Sequence, residues 1–286
     1  MPCMNGRGTF RALCDHRISE GLTERNGCEH IRGILRIYAH KILYGTMASP
    51  HEALPVASHP IYQFYAELKN YEPKIWRRFQ LMNDVTMSRL GYVLMTMFEM
   101  GAEHSFAFEM KRDDSMRSRK LPDGLMMTPV GMTDSSFPQK WRFDLIDDDA
   151  DLSPVRIKSR IFDVTVSKMK DVISVPGEKM TFLYDFGDDW KIDVTLESII
   201  KDRELPAGEL PRVLEGEGYG IIEDSGGVRG LARIAEAFEK KSGESYEMYR
   251  EWLGTDDIDM ITFNIDNINM RLKHFPRFCM YGYEYE

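Results

Sequence analysis

Between residues 61 and 69 apolar side chains take every second place. Tyr62, Phe64, Ala66 and Leu68 alternate with Gln63, Tyr65, Glu67 and Lys69. A period of two places one set on a buried face, so the segment reads as a half-buried β-strand. Asn-Tyr-Glu-Pro at 70–73 turns the chain, and a second strand follows with Ile75, Phe79 and Leu81 on the side that also carries Arg77. Asn83 and Asp84 break it. From Thr86 the period becomes helical, with Met87, Leu90, Leu94 and Met97 or Phe98 in one stripe. The Thr86 hydroxyl can accept an orphan amide of the first turn, and Gly101 can end the helix. Alternation returns at 105–111 with Phe106, Phe108 and Met110 on one face. The chain therefore opens β-β-α-β.

Residues 112–160 break the pattern with Pro122, Gly124, Pro129, Gly131, Pro138 and Pro154 and an acidic run at 147–151. They read as a polar insertion with one strand near 141–145. A short helix is expected at 164–173. The strongest hairpin follows: Met180, Phe182, Tyr184 and Phe186 share one face, and Trp190, Ile192, Val194 and Leu196 share the face of the partner strand. Gly187, Asp188 and Asp189 lie between, a short Gly/Asp connection suited to a tight turn. Residues 204–227 are rich in Gly, Pro and Glu and read as loop. Helices are expected at 228–240, 246–253 and 261–272. The fold class is α+β: a mixed, largely antiparallel sheet packed with helices, and helices at the C-terminal end.

Composition divides the chain. Residues 1–46 hold seven Lys/Arg against four Asp/Glu, so the overall net charge of −9 leaves −12 on the rest. They also hold three of the four cysteines and lack sustained periodicity, and Met47 offers a natural start. Residues 1–58 are expected to be disordered or an upstream extension, and 60–286 a single domain with the insertion at about 112–160. The pairs Cys14/His16 and Cys28/His30 in the leading segment match no standard zinc spacing. With one thiol, Cys279, after residue 58, a disulfide framework is not expected. No apolar run reaches the roughly 18 residues of a membrane span. A cytoplasmic protein without membrane partners is the expectation.

Three segments carry a resemblance: 73–79 (Pro-Lys-Ile-Trp-Arg-Arg-Phe), 184–190 (Tyr-Asp-Phe-Gly-Asp-Asp-Trp), and 211–216 (Pro-Arg-Val-Leu-Glu-Gly) followed by 223–227 (Glu-Asp-Ser-Gly-Gly). In order and spacing they resemble the plasmid pRiA4b ORF-3-like family, as do 252–254 and 263–269 near the C-terminus. The resemblance runs from about Tyr62 to Leu272. It implies a compact α+β fold and an association with mobile elements, including plasmids and transposable elements, and it brings no reaction with it. Family members often carry cysteines where this chain has Val213, Gly220 or Ile221, and Ser225. They often carry histidines where it has Lys191-Ile192 and Gly91, while His104 matches a family position. A soft-metal site built on those residues is not available here.

The candidate chemistry is acidic. Asp185, Asp188 and Asp189 surround the hairpin turn, and Glu223 and Asp224 could supply a second element; together they suit Mg²⁺ or Mn²⁺. The plainer account is turn chemistry and a solvated strand face. Arg77 and Arg78 are candidates for binding an anion or for structural ion pairs, Arg77 being the odd charge on an apolar face. Trp76, His104 and Trp190 are candidate surface or site residues. The Gly-rich entry at 226–227 lacks the Lys-Ser/Thr of a phosphate-binding loop, and its two preceding acids would repel phosphate unless a cation intervened. No G-x-S-x-G elbow is present. The expected function is a non-catalytic binding or accessory module for a protein or peptide. The alternatives are a divalent-metal-dependent enzyme or phosphate binder, and a DNA-binding accessory protein, the last disfavoured by the acidic body.

Overall fold

The alternating segments assemble as strands of one sheet. The structure, a computed structural model, describes residues 57, 59–111, 121–127, 140–144 and 159–274. The leading cysteine–histidine pairs, the acidic run at 147–151 and Cys279 lie outside the described residues. Strand β1 (Ile61–Leu68) pairs antiparallel with β2 (Trp76–Met82) on one edge and with β8 (Trp190–Ile200) on the other. Helix α1 (Met87–Met97) connects β2 to β3 (Phe106–Lys111), and the Thr86 hydroxyl accepts the Arg89 amide at 3.3 Å. The remaining strands are β4 (Leu125–Met127), β5 (Lys140–Asp144), β6 (Ser159–Asp163), β7 (Lys179–Tyr184) and β9 (Arg212–Glu217). The nine-stranded order is β4-β6-β5-β3-β7-β8-β1-β2-β9, and the β5–β6 pair is parallel among otherwise antiparallel neighbours. Helices α2 (Met169–Val172), α3 (Gly227–Lys240), α4 (Glu244–Leu253) and α5 (Ile265–His274) complete the described elements. The fold is α+β, with a mixed and mostly antiparallel sheet.

The predicted stripes form the core. Phe64, Phe79, Phe108, Phe182, Ile192 and Val194 are fully buried with Leu90, Val93, Leu94 and Met97 of α1. At about 1.5–3 kcal/mol per large apolar side chain, this layer is the main favourable term of folding. A smaller cluster of Ile234, Ala237, Phe238 and Tyr246 joins α3 to α4. The edge strand β9 is closed by a side chain: Asn269 of α5 accepts the Val213 amide at 2.7 Å and donates to its carbonyl at 3.0 Å.

Five expectations change. The segment at 112–160, read with one strand near 141–145, also holds β4 and the start of β6. The helix predicted over 164–173 contracts to the four residues of α2, because the stretch before it bonds to the start of α1: Ser167 and Val164 carbonyls accept the Met87 and Ser88 amides. The 204–227 loop contains β9, recruited by the free edge of β2. The last helix starts at Ile265 rather than 261. Phe186 does not continue the core face; it is 54% exposed, because Asp185 at φ 51° leaves the extended region and ends the pleat.

The opposite face of the sheet is polar and paired across strands. Arg78 of β2 donates to both carboxylate oxygens of Glu197 in β8, at 2.7 and 2.9 Å, and also pairs with Glu215 of β9. The Arg78 hydrogen bond holds the Glu197 carboxyl below the ordinary glutamate range. A depressed carboxylate contributes stability above its unfolded pKa and loses it as pH falls through the folded value. Glu197→Gln should therefore cost about 1 kcal/mol at pH 7, and the gap from wild type should close below about pH 4. Urea unfolding at the two pH values reads both.

Candidate functional site

Three loops meet at one end of the β3-β7-β8 hairpin region. The β7–β8 turn, residues 185–189, is tied to the loop before β3 by the Asp185 amide, which donates to the Ser105 carbonyl at 3.0 Å. The same turn is tied to the loop before α3 by Asp188, whose Oδ2 accepts the Gly226 amide at 3.1 Å. Glu223 makes the third tie. Its Oε1 accepts the Gly101 amide at 2.9 Å and the Tyr184 hydroxyl. Burial first, and then the Glu223 hydrogen bond, raise the Tyr184 hydroxyl above its ordinary range, so it stays protonated and donates.

These ties bring three potential ligands together. Asp185 Oδ1 is held by the Gly187 amide at 3.0 Å and the Asp188 amide at 3.3 Å, while Oδ2 stands 3.8 Å from His104 Nε2. Asp224 Oδ1 stands 3.7 Å from the same nitrogen. One atom from each of His104, Asp185 and Asp224 lies within 4.8 Å of the others. The His104 ring meets Tyr184 edge-on at 5.8 Å, which fixes its plane. Asp185 is 12% exposed and Asp224 75%, so the cluster has a floor and an open side.

The backbone around the cluster is held in unusual conformations. Glu99, Ala102, Asp185, Asp189 and Asp224 all have φ between 51° and 61°. Each such residue costs roughly 1–2 kcal/mol relative to right-handed backbone. Such strain persists where surrounding contacts over-determine it, and those places are often functional.

The candidate residues divide. Asp185, Asp224 and His104 converge. Glu223 sits behind them, its Oε1 taken up by Tyr184 and Gly101. Asp188 occupies the start of α3, where its carboxylate takes the Gly226 amide, so a phosphate cradle at that position is already filled by the protein. Asp189 is exposed and pairs with Lys191. Arg77 binds neither an anion nor an aspartate. It is fully buried, and all five of its N–H groups reach carbonyl oxygens: Met97 at 3.0 Å, Trp76 at 2.8 Å, Glu217 at 2.6 Å, Gly218 at 2.8 Å and Tyr219 at 2.7 Å. The Phe263 ring lies 3.9 Å from its guanidinium carbon. Burial pushes the guanidinium down to about 9, the Glu99 charge acting the other way. Arg78 is committed to Glu197 and Glu215 on the solvent face. Trp76 stacks on Tyr65 at 5.4 Å and donates to Glu217 at 3.0 Å. Trp190 belongs to the core at 1% exposure, away from any surface role.

Sequence reasoning missed Tyr184 as a polar anchor and the 101–104 loop as a wall of the cluster. Tyr184 carried a signal: a hydroxyl among core-facing apolar residues needs a buried partner. A side chain on Gly91 would begin 2.6 Å from the Phe106 ring, so the histidine that the resemblance implies at this position has no room beside that ring.

Comparison with known proteins agrees with this architecture. The family model described as plasmid pRiA4b ORF-3-like protein matches residues 60–271. An uncharacterized protein of Sinorhizobium fredii is 28% identical over 204 residues, covering 71% of this chain and 85% of the relative. The crystal structure of a protein of unknown function from Methanosarcina mazei Go1 superposes with a TM-score of 0.55 at 24% identity, covering 73% of this chain and 97% of the other. That likeness shows a shared fold.

Proposed function

The chain belongs to the plasmid pRiA4b ORF-3-like family, and we propose that it is a divalent-cation-binding module with His104, Asp185 and Asp224 as the protein's ligands. One observation carries the reading: an imidazole nitrogen and two carboxylate oxygens from three separate loops lie within 4.8 Å of one another. Ligands of one cation at about 2.0–2.2 Å from it stand three to four ångströms apart, which matches the 3.7 and 3.8 Å separations. Carboxylates alone suit Mg²⁺, but an imidazole in the set favours Mn²⁺ or Zn²⁺. The exposed side at Asp224 leaves coordination positions for water or a ligand, the arrangement of a working site rather than a closed structural one.

A thermal scan of the full chain with EDTA, Mg²⁺, Mn²⁺ and Zn²⁺ tests this. A cation at about 100 times its dissociation constant stabilises the folded state by about 2.7 kcal/mol. For a domain of this size that is a rise of roughly 5–10 °C in Tm. Mn²⁺ or Zn²⁺ should produce it in the wild type and fail to do so in Asp185→Asn and His104→Gln. Equal shifts in all three proteins, or none in the wild type, would leave the cluster as a histidine packed beside two aspartates, with no cation role.

A further inference from the structure

Helix α4 carries apolar surface that the fold does not use. Its inner stripe is Tyr246, Tyr249 and Leu253, which join Ile234 and Phe238 of α3 in the smaller cluster. Met248 and Trp252 lie outside that stripe, 53% and 47% exposed. Four residues apart, they share one helix face. The Trp252 indole lies 6.3 Å from the Tyr249 ring, so the three side chains form one apolar strip. Glu244, Glu247 and Glu251 form the adjoining row, three and four residues apart. Exposed apolar surface rimmed by polar groups marks an interaction face, and Trp is among the residues that dominate binding energy at interfaces.

Charge decides what fits there. Residues 244–259 hold six acids and one arginine, a net of −5. Arg250 is spent on Glu247 and Asp256, both at 3.0 Å. The exposed Glu251 carboxylate has no ion pair among the described residues. These four side chains line an open pocket of about 430 Å³ at the C-terminal end of α4, where the helix dipole also favours a cation. Nucleic acid and anionic lipid would be repelled by this charge. A two-fold contact between copies would set the acidic face against itself.

We propose that the outer face of α4 docks a basic, apolar-bearing segment of a partner protein. A Lys or Arg side chain enters the pocket of Glu247, Glu251 and Asp256, and an apolar side chain covers Met248 and Trp252. The surface is separate from the His104 cluster and needs no cation.

The experiment is fluorescence anisotropy on the full chain in EDTA. The probe is a labelled synthetic peptide of Lys and Leu, with Leu at the i, i+3, i+4 and i+7 positions of a helix face. Two further peptides replace every Leu by Ser, or every Lys by Glu. The first peptide should bind, and the other two should bind at least about tenfold more weakly. Trp252→Ala and Glu251→Lys should each weaken the first peptide by about tenfold. Glu204→Lys makes the same charge change at an exposed acid in the loop after β8, and should alter affinity by less than about twofold in physiological salt. All three substitutions fall on exposed side chains, so circular dichroism should match wild type. Absence of binding by the first peptide, or equal binding of the Ser peptide, overturns the proposal. So does an equal loss in Glu204→Lys, which would mean that only net charge is read. A wild-type dimer in sedimentation that Trp252→Ala turns into a monomer overturns it too, by giving the face to a second copy.

Discussion

Arg77→Met should cost the domain about 5 kcal/mol, enough to leave a large unfolded fraction at ambient temperature if total stability is in the common range of about 5–15 kcal/mol. The reason is the number of acceptors that one side chain satisfies. Five carbonyl oxygens, from Trp76, Met97, Glu217, Gly218 and Tyr219, receive the five N–H groups of this fully buried side chain, those of Met97 and Gly218 in buried bonds and the others in partly buried ones. An orphaned buried acceptor costs about 1–3 kcal/mol. Relaxation and water entry would recover part of the sum, which leaves the loss near the 3–5 kcal/mol seen when a buried charged partner is removed. Arg77→Lys should recover little, because three donors on a flexible stem cannot reproduce a planar fork. Arg78→Met, one residue away but on the solvent face, should change stability by no more than about 1 kcal/mol. Urea unfolding followed by circular dichroism separates them. A loss under about 1 kcal/mol for Arg77→Met would mean that the carbonyls find other donors and that the hub is not what joins the end of α1 to the segment after β9.

Gly227→Ala is the second large effect, and it links the fold to the site. A methyl group at Gly227 would stand 2.3 Å from the Asp188 carbonyl oxygen, on a residue with φ of 70°. The left-handed backbone alone costs roughly 1–2 kcal/mol with a side chain, and the overlap is with backbone that cannot swing aside. A loss of about 3 kcal/mol is expected, with the β7–β8 turn and the start of α3 pushed apart. Asp185 lies on one of these segments and Asp224 on the other. The variant should thus also lose the cation-induced rise in Tm, even though no ligand has been changed. Gly243→Ala serves as a control: it too has positive φ, 94°, but nothing within 4 Å, so it should show only the backbone cost and keep the cation response. Retention of the full response in Gly227→Ala would show that the contact between turn and helix does not set the geometry of the cluster.

Much of the architecture was legible from local pattern. Residues 61–68, 106–111, 179–184 and 190–200 alternate because one face of each strand meets the core, and α1 carries its helical stripe for the same reason. The segments at 184–190 and 223–227 were legible as chemistry because each packs several carboxylates beside glycines. Less legible was the division of labour among those carboxylates. Asp188 and Asp224 look alike in the chain, yet one accepts the Gly226 amide just before α3 and the other faces a histidine. Asp185 was expected on the strand face away from the core; its left-handed backbone turns it toward His104 instead. A period-two argument assumes a regular pleat, and it fails where the pleat ends.

Arg77 shows the same limit from the other side. Its place on an apolar face was evident, and so was its need for partners. An anion or an ion-paired acid is the partner the sequence suggests, because charge is what sequence displays. Backbone carbonyls carry no sequence signal, and the five that converge on Arg77 come from three places along the chain. By itself, then, the sequence determined the strongly periodic elements, their buried faces and the α+β class, since these follow from periodicities within a few residues of one another; β4, β9 and the extent of α2 came from strand pairing and loop contacts. The tertiary structure alone decided which polar groups meet. That depends on strand order and on where loops dozens of residues apart come to rest: His104, Asp185 and Asp224 are neighbours only because β3 lies beside β7 and the loop before α3 docks against the β7–β8 turn.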